Sequence, residues 1–397
     1  MKNKKYVLVI NCGSSSIKLT IFEEKFEILH KEYIEKVKNH KTALRKALKR
    51  LKKDKFPLEN IRKVGHRVVH GGEKYTAPTR ITAKVLKELE GLSQLAPLHN
   101  PANIAGIKAC MKLFPNATHT AVFDTAYFST LPEKAYLYAL PFELYKKHDI
   151  RKYGFHGTSH EYVVNEALSY LKKNKSNSPT RVVSCHLGNG ASITASVNGV
   201  AVDTSMGFTP LEGIPMGTRS GDIDPAIIFH LAKSTKRTSL KKSLKKIHTM
   251  LEKESGLKGV SELSHDMRVL RDAYFIRDQK GKLKPFKKLS RAERALHEKA
   301  NRTMQLFCYR IAKYIGGYAA SLNGLDTIIF TATIGEKADY IRKWVCEYLE
   351  YMRVKLDNRK NTACTNPKEL KLIHDKKSKV KVFVIPTNEA LQIARNL

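Results

Sequence analysis

The chain has 397 residues, 42% of them hydrophobic, enough for two sizeable cores because a single core stops growing below this size. Lysine and arginine number 72 against 37 acids, a formal net charge of +35, which raises attraction to polyanions and steers anionic substrates without dictating a fold. The six cysteines, at 12, 110, 185, 308, 346 and 364, lack the spacing of a thiolate zinc site, and an oxidised framework does not suit so large a chain; the protein reads as reduced and cytoplasmic.

In chain order, YVLVI follows MKNKK as an apolar run too short for a signal-peptide core, and no later run reaches the length of a membrane span. Together with the turn NCGSSS and the run SIKLTIFE it predicts a hairpin, with FEILHKEYIEKV as a third strand. KTALRKALKRLKKDK (41–55) puts Ala43, Leu44, Ala47, Leu48 and Leu51 on one helical face and lysines on the other. KVGHRVVHGG predicts a strand plus turn, 80–92 and 102–112 helices, and THTAVFD a short strand. Strands first, then helices alternating with strands, predict an α/β domain with a mixed sheet.

Past a tyrosine-rich stretch around 136–153, RVVSCHLGNGASITASVNGV again reads as strand, small-residue turn, strand. Placing Gly13 on Gly188 aligns the two runs, with a one-residue slip before Ile17 and Ile193. A weak internal duplication follows, and two related domains facing each other would form a cleft. A helix is predicted after Asp224-Pro225, a second basic amphipathic helix at SLKKSLKKIHTML (239–251), and an exposed insertion at RDQKGKLKPFKK. A long helix from about 291 to 321, strand and turn in LDTIIFTATIG, a helix at 337–351, the strand KVKVFVI and a C-terminal helix with Thr387 as N-cap complete the chain. Both basic helices read as solvated faces, because aromatic interleaving and a nucleic-acid module are absent.

Three turns, NCGSSS, HLGNG and TATIGE, follow apolar strands with small residues. Glycine there lets successive backbone N–H groups form an anion nest, although plain turn chemistry asks for the same residues. No Walker A loop and no Gly-x-Gly-x-x-Gly pattern occurs. A denser signal lies between 66 and 225, where HRVVHGG, APLHNP, VFDTAYF, YGFHGTSH and MGFTPLEGIPMGTRSGDIDP set arginines, histidines and aspartates among glycines and prolines. Rigid turns carrying cations suit phosphoryl transfer, which needs fixed positive groups around the transferring oxygens. Plain alternatives stand beside this reading. Arg67 suits a surface strand, His66 and His70 suit satisfied strand positions, His99 suits a helix cap and Asp124 an Asx-turn. Arg219, Asp222 and Asp224 would pair with one another, while His156 and His160 lack a third metal ligand.

The ordered motifs GHRVVHGG, LAPLHNP, VFDTAY, YGFHGTSH, HLGNGASITA, DTSMGFTPLEGIPMGTRSGDIDP and IPTNEALQIAR resemble those of the acetate kinases, in the acetate and sugar kinase, Hsp70 and actin superfamily. The resemblance runs from VLVINCGSSSIKL to IPTNEALQIAR. It implies an α/β chain of two actin-like (ribonuclease H-like) domains with a central active-site cleft, 1–150 joined by helix 387–397 and a nucleotide-binding domain at 151–386. It also implies a homodimer in the cytoplasm, with acetate and ATP/ADP as substrates and Mg2+, or Mn2+ in its place, as cofactor.

By the same resemblance, Asn11 and Glu389 lie near the magnesium, and Ser14, Ser16 and Lys18 form the phosphate-side hairpin. Arg67 and Arg219 bind acetate or clamp the transferring phosphoryl group, His156 contacts that group in the transition state, and His99 is a second active-site histidine. Asp124 is the essential aspartate, best read as orienting an arginine or the incoming carboxylate, with a base role as the alternative. Val69, Leu98, Phe155 and Pro210 surround the acetate methyl. His186, Leu187, Gly188, Asn189 and Gly190 lie under the ATP phosphates, and Asp266, Met267 and Arg268 near adenosine. The implied reaction is reversible, Mg-ATP-dependent phosphorylation of acetate to acetyl phosphate, with propionate or butyrate as the alternative acceptor. One segment departs from the pattern. The family usually has Gly-Gly or Ala-Gly before Ile-Gly-Glu and then Asn, whereas this chain has Thr333 before Ile334, Gly335 and Glu336, followed by Lys337. A β-branched residue in a glycine conformation, plus an added cation, predicts weaker nucleotide binding.

Overall fold

Short, mostly continuous apolar runs build two six-stranded sheets in the computed structural model, which describes residues 4–13, 16–97, 99–173, 180–234 and 239–397. The first contains β1 (Tyr6–Cys12), β2 (Ser16–Phe22), β3 (Ile28–Glu35), β4 (Ile61–Val68), β5 (Thr79–Arg80) and β6 (Thr118–Phe123), ordered β3-β2-β1-β4-β6-β5. The second contains β7 (Arg181–Leu187), β8 (Ala191–Val197), β9 (Val200–Thr204), β10 (Thr327–Thr331), β11 (Lys371–Leu372) and β12 (Lys381–Val384), ordered β11-β12-β10-β7-β8-β9.

Taken from its β9 edge, the second sheet repeats the first strand for strand. Both run antiparallel across their opening three strands, parallel through the middle (β1-β4-β6 and β7-β10-β12), and antiparallel again at the last edge. The duplication suggested by two turns thus extends over all twelve strands. By contacts the chain forms two compact units, Met1–Leu131 with Tyr153–Tyr162 and Asn388–Leu397, and Pro132–Lys152 with Val163–Thr387.

In the first unit the basic helix His40–Lys53 buries Leu44, Ala47, Leu48 and Leu51 and turns its lysines outward. The C-terminal helix Glu389–Arg395 packs Ile393 and Ala394 against Val9, Phe22 and Val122. Gly65 on β4 permits that approach, since a Cβ there would lie 2.7 Å from Ile393 Cγ2. The helix is capped by Asn388, whose side chain accepts from the Leu391 N–H; Thr387, the expected cap, instead donates its own N–H to Glu336 Oε1.

In the second unit the 31-residue helix Arg291–Ser321 opens on a Ser290/Glu293 capping box and buries Met304, Phe307, Ile311 and Ile315. The second basic helix, Leu240–Thr249, passes into a π-helical turn, Met250–Glu254. The expected turn in TATIGE is a short helix, Ala332–Lys337, entered directly from β10. The predicted helix at 337–351 is Asp339–Glu347 followed by a 3-10 turn. Among the described residues no helix is long and apolar enough to cross a membrane.

His66 on β4 and His119 on β6 are buried and bonded, Nε2 to Nδ1, at 3.0 Å, and His119 Nε2 donates to the Phe114 carbonyl. Burial lowers both histidines and so favours neutral rings, in which His66 Nε2 donates to His119 Nδ1. Burial, then the neighbouring His119, lowers His66 from its ordinary 6.5 to about 3. A histidine depressed in the folded state binds its proton preferentially when unfolded, so stability is full above pH 6.5 and falls as pH drops from there toward 3. Thermal unfolding followed across this window is expected to show a shallower acid limb in His66→Leu than in the parent chain; an unchanged limb would show that the pair does not drive it.

Candidate active site

The parallel strands of the first sheet end in charged residues. Arg67 is the penultimate residue of β4 and Asp124 follows β6, brought side by side because Val68 pairs with Phe123. The guanidinium grips the carboxylate in a fork: Arg67 Nε donates to Asp124 Oδ1 at 2.9 Å and Nη2 to Oδ2. A longer bond, 3.4 Å, runs from Arg67 Nη1 to Asn11 Oδ1 on β1, and Glu389 Oε2 lies 3.9 Å from Arg67 Nε. Thr158 donates to Asp124 Oδ1 at 3.4 Å. Burial pushes the Asp124 carboxyl up against the pull of Arg67. Burial alone would lower Arg67, but the charges of Asp124 and Glu389 outweigh it and hold the guanidinium protonated. The unit thus assembles Asn11, Arg67, Asp124 and Glu389 from four separate stretches of chain.

Two asparagines missed in the sequence hold this arrangement. Asn103 accepts from the Val69 N–H and donates to the Cys12 carbonyl at 2.6 Å, and Asn100 bonds both the N–H and the carbonyl of His70. Both sit on the inner face of helix Asn100–Leu113, buried among apolar residues, and their i, i+3 spacing was the available signal. His99 occupies the N-cap position of that helix without making a side-chain cap bond. Val69 and Phe155 are buried, and the ring of His70 packs edge-on to Phe155 and Tyr153. His70 is not the satisfied strand histidine expected: it lies beyond β4, its Nδ1 accepts from the Gly72 N–H, and its buried Nε2 has no hydrogen-bond partner.

His156 has a left-handed backbone, φ +60°, and its carbonyl accepts the first bonds of helix Gly157–Lys173. Gly157 is required next, because a Cβ there would lie 2.0 Å from the Asp124 carbonyl oxygen that its N–H contacts. Such an outlier persists only where its surroundings hold it, here through the bond of the following residue to Asp124. Ser16 opens β2, and Lys18 lies opposite Asn11 in the hairpin with its ammonium over the Tyr33 ring. Ser14 and Leu98 lie outside the described residues.

In the second unit the small-residue turn after β7 is braced from two sides. His186 and Leu187 are buried at the strand end, the Gly188 N–H donates to the Gly190 carbonyl, and the Asn189 carbonyl accepts from Gly217 N–H. The loop after β9 carries Arg219, whose Nε donates to Glu252 Oε2 at 2.9 Å, with Nη1 3.4 Å from the Pro210 carbonyl. Glu252 sits on the π turn, a feature that recurs at functional sites and that helical periodicity does not reveal. Asp222 accepts from the Gly213 N–H and the Tyr314 hydroxyl, and Asp224 from the Ala226 N–H, so Arg219, Asp222 and Asp224 do not pair with one another. Asp266 caps helix Met267–Tyr274 and pairs with the exposed Arg268; the buried Met267 offers its carbonyl to Tyr340.

A profile of the acetokinase family matches residues 30–395. The chain belongs to the acetokinase family. It is 42% identical to an acetate kinase of Carboxydothermus hydrogenoformans and 44% identical to one of Thermotoga maritima, each alignment covering 98% of this chain and 97% of the relative. Among solved structures it is similar to Porphyromonas gingivalis acetate kinase, with TM-score 0.86 and 38% identity over 99% of this chain and 98% of that one. It is also similar to a Francisella tularensis propionate kinase, with TM-score 0.84 and 37% identity over 99% and 98%. The mixed sheets are accordingly those of two actin-like domains.

Against the acetokinase pattern, the expected strain is displaced by one residue. Thr333 lies exposed within helix Ala332–Lys337 and is not among the positive-φ residues; Ala332 is, at φ +62°. Thr333 therefore takes no glycine conformation, and the exposed Lys337 ends the same helix.

Opposite signs are expected from two glycine substitutions: Ala332→Gly raises unfolding free energy by about 1 kcal/mol through relief of the left-handed backbone, and Thr333→Gly lowers it, as measured by denaturant titration. For Glu252→Gln, loss of the charged partner of Arg219 is expected to reduce kcat about tenfold, since hydrogen bonds between charged groups carry roughly 1.5–3 kcal/mol. Its melting temperature should stay close to that of the parent.

Proposed function

We infer that the chain is an acetate kinase, moving the γ-phosphoryl group of ATP onto the carboxylate of acetate and back. Membership of the acetokinase family supports the reaction class, and the single structural observation that carries the residue roles is the buried Arg67–Asp124 fork at the ends of two parallel strands. A carboxylic acid titrates near ~4, so acetate attacks as the anion and needs no strong base. Both oxygens of Asp124 are engaged by Arg67, which favours an orienting role over a base role. Arg67 aligns the acetate carboxylate, while Arg219, steadied by Glu252, neutralises oxygens of the phosphoryl group with His156 as a further donor. Val69, Leu98, Phe155 and Pro210 bound the acetate methyl.

The nucleotide is held by Ser14, Ser16 and Lys18, by His186–Gly190, by Asp266–Arg268 and by Thr333–Lys337. Asn11 and Glu389 offer neutral and anionic oxygens, a donor set that suits Mg2+ or Mn2+. So sparse a set fits a cation bound largely through phosphate, and no group of three or more His, Cys, Asp or Glu ligands occurs among the described residues. Magnesium bound there would supply charge neutralisation on the phosphates. Two chains form a homodimer in the cytoplasm, in keeping with the family likeness.

The test incubates purified protein with Mg-ATP and acetate, propionate or butyrate, trapping acyl phosphate with hydroxylamine. Acetate is expected to be the preferred acceptor, and Arg219→Ala to lower kcat by about 10²–10³-fold, the cost of removing one transition-state donor. Because one methylene is worth only ~1–3 kcal/mol, faster trapping with propionate would reassign the acyl preference, and no trapping with any acid would overturn the kinase reading.

A further inference from the structure

Arg342, on helix Asp339–Glu347, is fully buried, with no exposed surface. Its guanidinium donates to five oxygens: Asn361 Oδ1 at 2.8 Å, the Asn361 carbonyl at 2.9 Å, the Cys364 carbonyl at 2.6 Å, and the carbonyls of Gly335 at 2.8 Å and Glu336 at 3.1 Å. None of these acceptors is a carboxylate. A buried cation without a bonded counter-charge is costly, and an apolar side chain would fill the space more cheaply. What the guanidinium adds is geometry: Nη1 holds two successive carbonyls at the end of helix Ala332–Lys337, while Nε and Nη2 hold the segment around Asn361 and Cys364.

The helix it holds is short and opens on a strained residue, Ala332 at φ +62°. Strain of this kind persists only where the surroundings over-determine it. Other contacts reinforce the same point: the Asn366 N–H also donates to the Glu336 carbonyl, and the Thr387 N–H to the Glu336 carboxylate. Asn361 is fixed in turn through Nδ2 to the Asp339 carbonyl.

We propose that Arg342 is a positioning residue for nucleotide binding, setting the course of the 332–337 backbone through the carbonyls of Gly335 and Glu336. The inference rests on the reading that this segment contacts the nucleotide. Lysine cannot replace it, because a single ammonium does not bridge two segments that a planar fork can.

Steady-state kinetics and melting temperatures of Arg342→Lys, Asn361→Ala and Val345→Ala separate this role from a stabilising one. Val345 is buried on the same helix and contributes only packing. Arg342→Lys is expected to raise the KM for ATP about tenfold, as for loss of a charge-assisted bond, with kcat and the KM for acetate little changed. Asn361→Ala, which removes one acceptor and leaves the arginine in place, should move the ATP KM the same way by less, and serves alone if Arg342→Lys does not fold. Val345→Ala should lower the melting temperature and leave the ATP KM unmoved. In the parent chain, ADP should slow amide hydrogen exchange in 332–337. Absence of that protection would overturn the nucleotide reading of the segment, and this inference with it. Protection together with an unmoved ATP KM in the folded arginine or asparagine variant would overturn the role of Arg342 alone, as would an ATP KM that rises equally in Val345→Ala.

Discussion

The fork between Arg67 and Asp124 is the constraint on which the first unit's candidate site depends. A carboxylate 1% exposed persists only with a bonded cation, and removing one partner of such a pair costs about 3–5 kcal/mol. The pair is possible because β4 and β6 are adjacent and parallel, so their carboxyl ends deliver two side chains to one place from positions 57 residues apart. Neighbouring features then attach to it: the Gly157 N–H to the Asp124 carbonyl, Thr158 to its carboxylate, and Asn11 and Glu389 to the arginine. A cation held this way needs little reorganisation when charge develops beside it.

The second sheet uses the same strand ends for different purposes. Where β1, β4 and β6 lead to Asn11, Arg67 and Asp124, the matching β7, β10 and β12 lead to the His186–Gly190 turn, to Ala332 and toward Thr387. In open α/β sheets ligands gather outside the carboxyl ends of parallel strands. Duplication supplied two such edges; one became charged, and the other is built mainly from small residues and main-chain bonds, such as Gly188 to Gly190 and Gly217 to Asn189.

Strands and amphipathic helices were legible because burial marks single segments: the apolar run of β1 and the Leu44, Ala47, Leu48, Leu51 stripe need no distant partner to be recognised. Arginine and aspartate among glycines stood out as candidate site residues for a similar reason, since charged residues in irregular segments conflict with simple packing. Glu252 and Arg342 were not legible, and Asn100 and Asn103 only as an i, i+3 pair on one helix face, because their meaning lies in partners the chain brings close only on folding. Asn103 meets the Cys12 carbonyl across 91 residues, and a backbone carbonyl leaves no trace in a residue pattern. Likewise, departure from the family pattern flagged Thr333 as out of place, but only the course of β10 into the next helix shows that its neighbour Ala332 takes the left-handed backbone.

The net charge of +35 and the charge of the site are separate properties. The lysines of helix His40–Lys53 face solvent above a buried apolar stripe, where salt screens them within ~10 Å at 0.1 M; they affect the rate of encounter with anions more than turnover. Arg67 and Arg219 are each neutralised along one edge, by Asp124 and Glu252, through short bonds. The opposite edge is held only loosely, Nη1 lying 3.4 Å from Asn11 Oδ1 in one and 3.4 Å from the Pro210 carbonyl in the other. A guanidinium has five donors in a rigid plane, so an acid that fixes one edge aims the rest. The carboxylate partners therefore leave each arginine with oriented, weakly bonded donors on its opposite edge, which is what the roles proposed for Arg67 and Arg219 require.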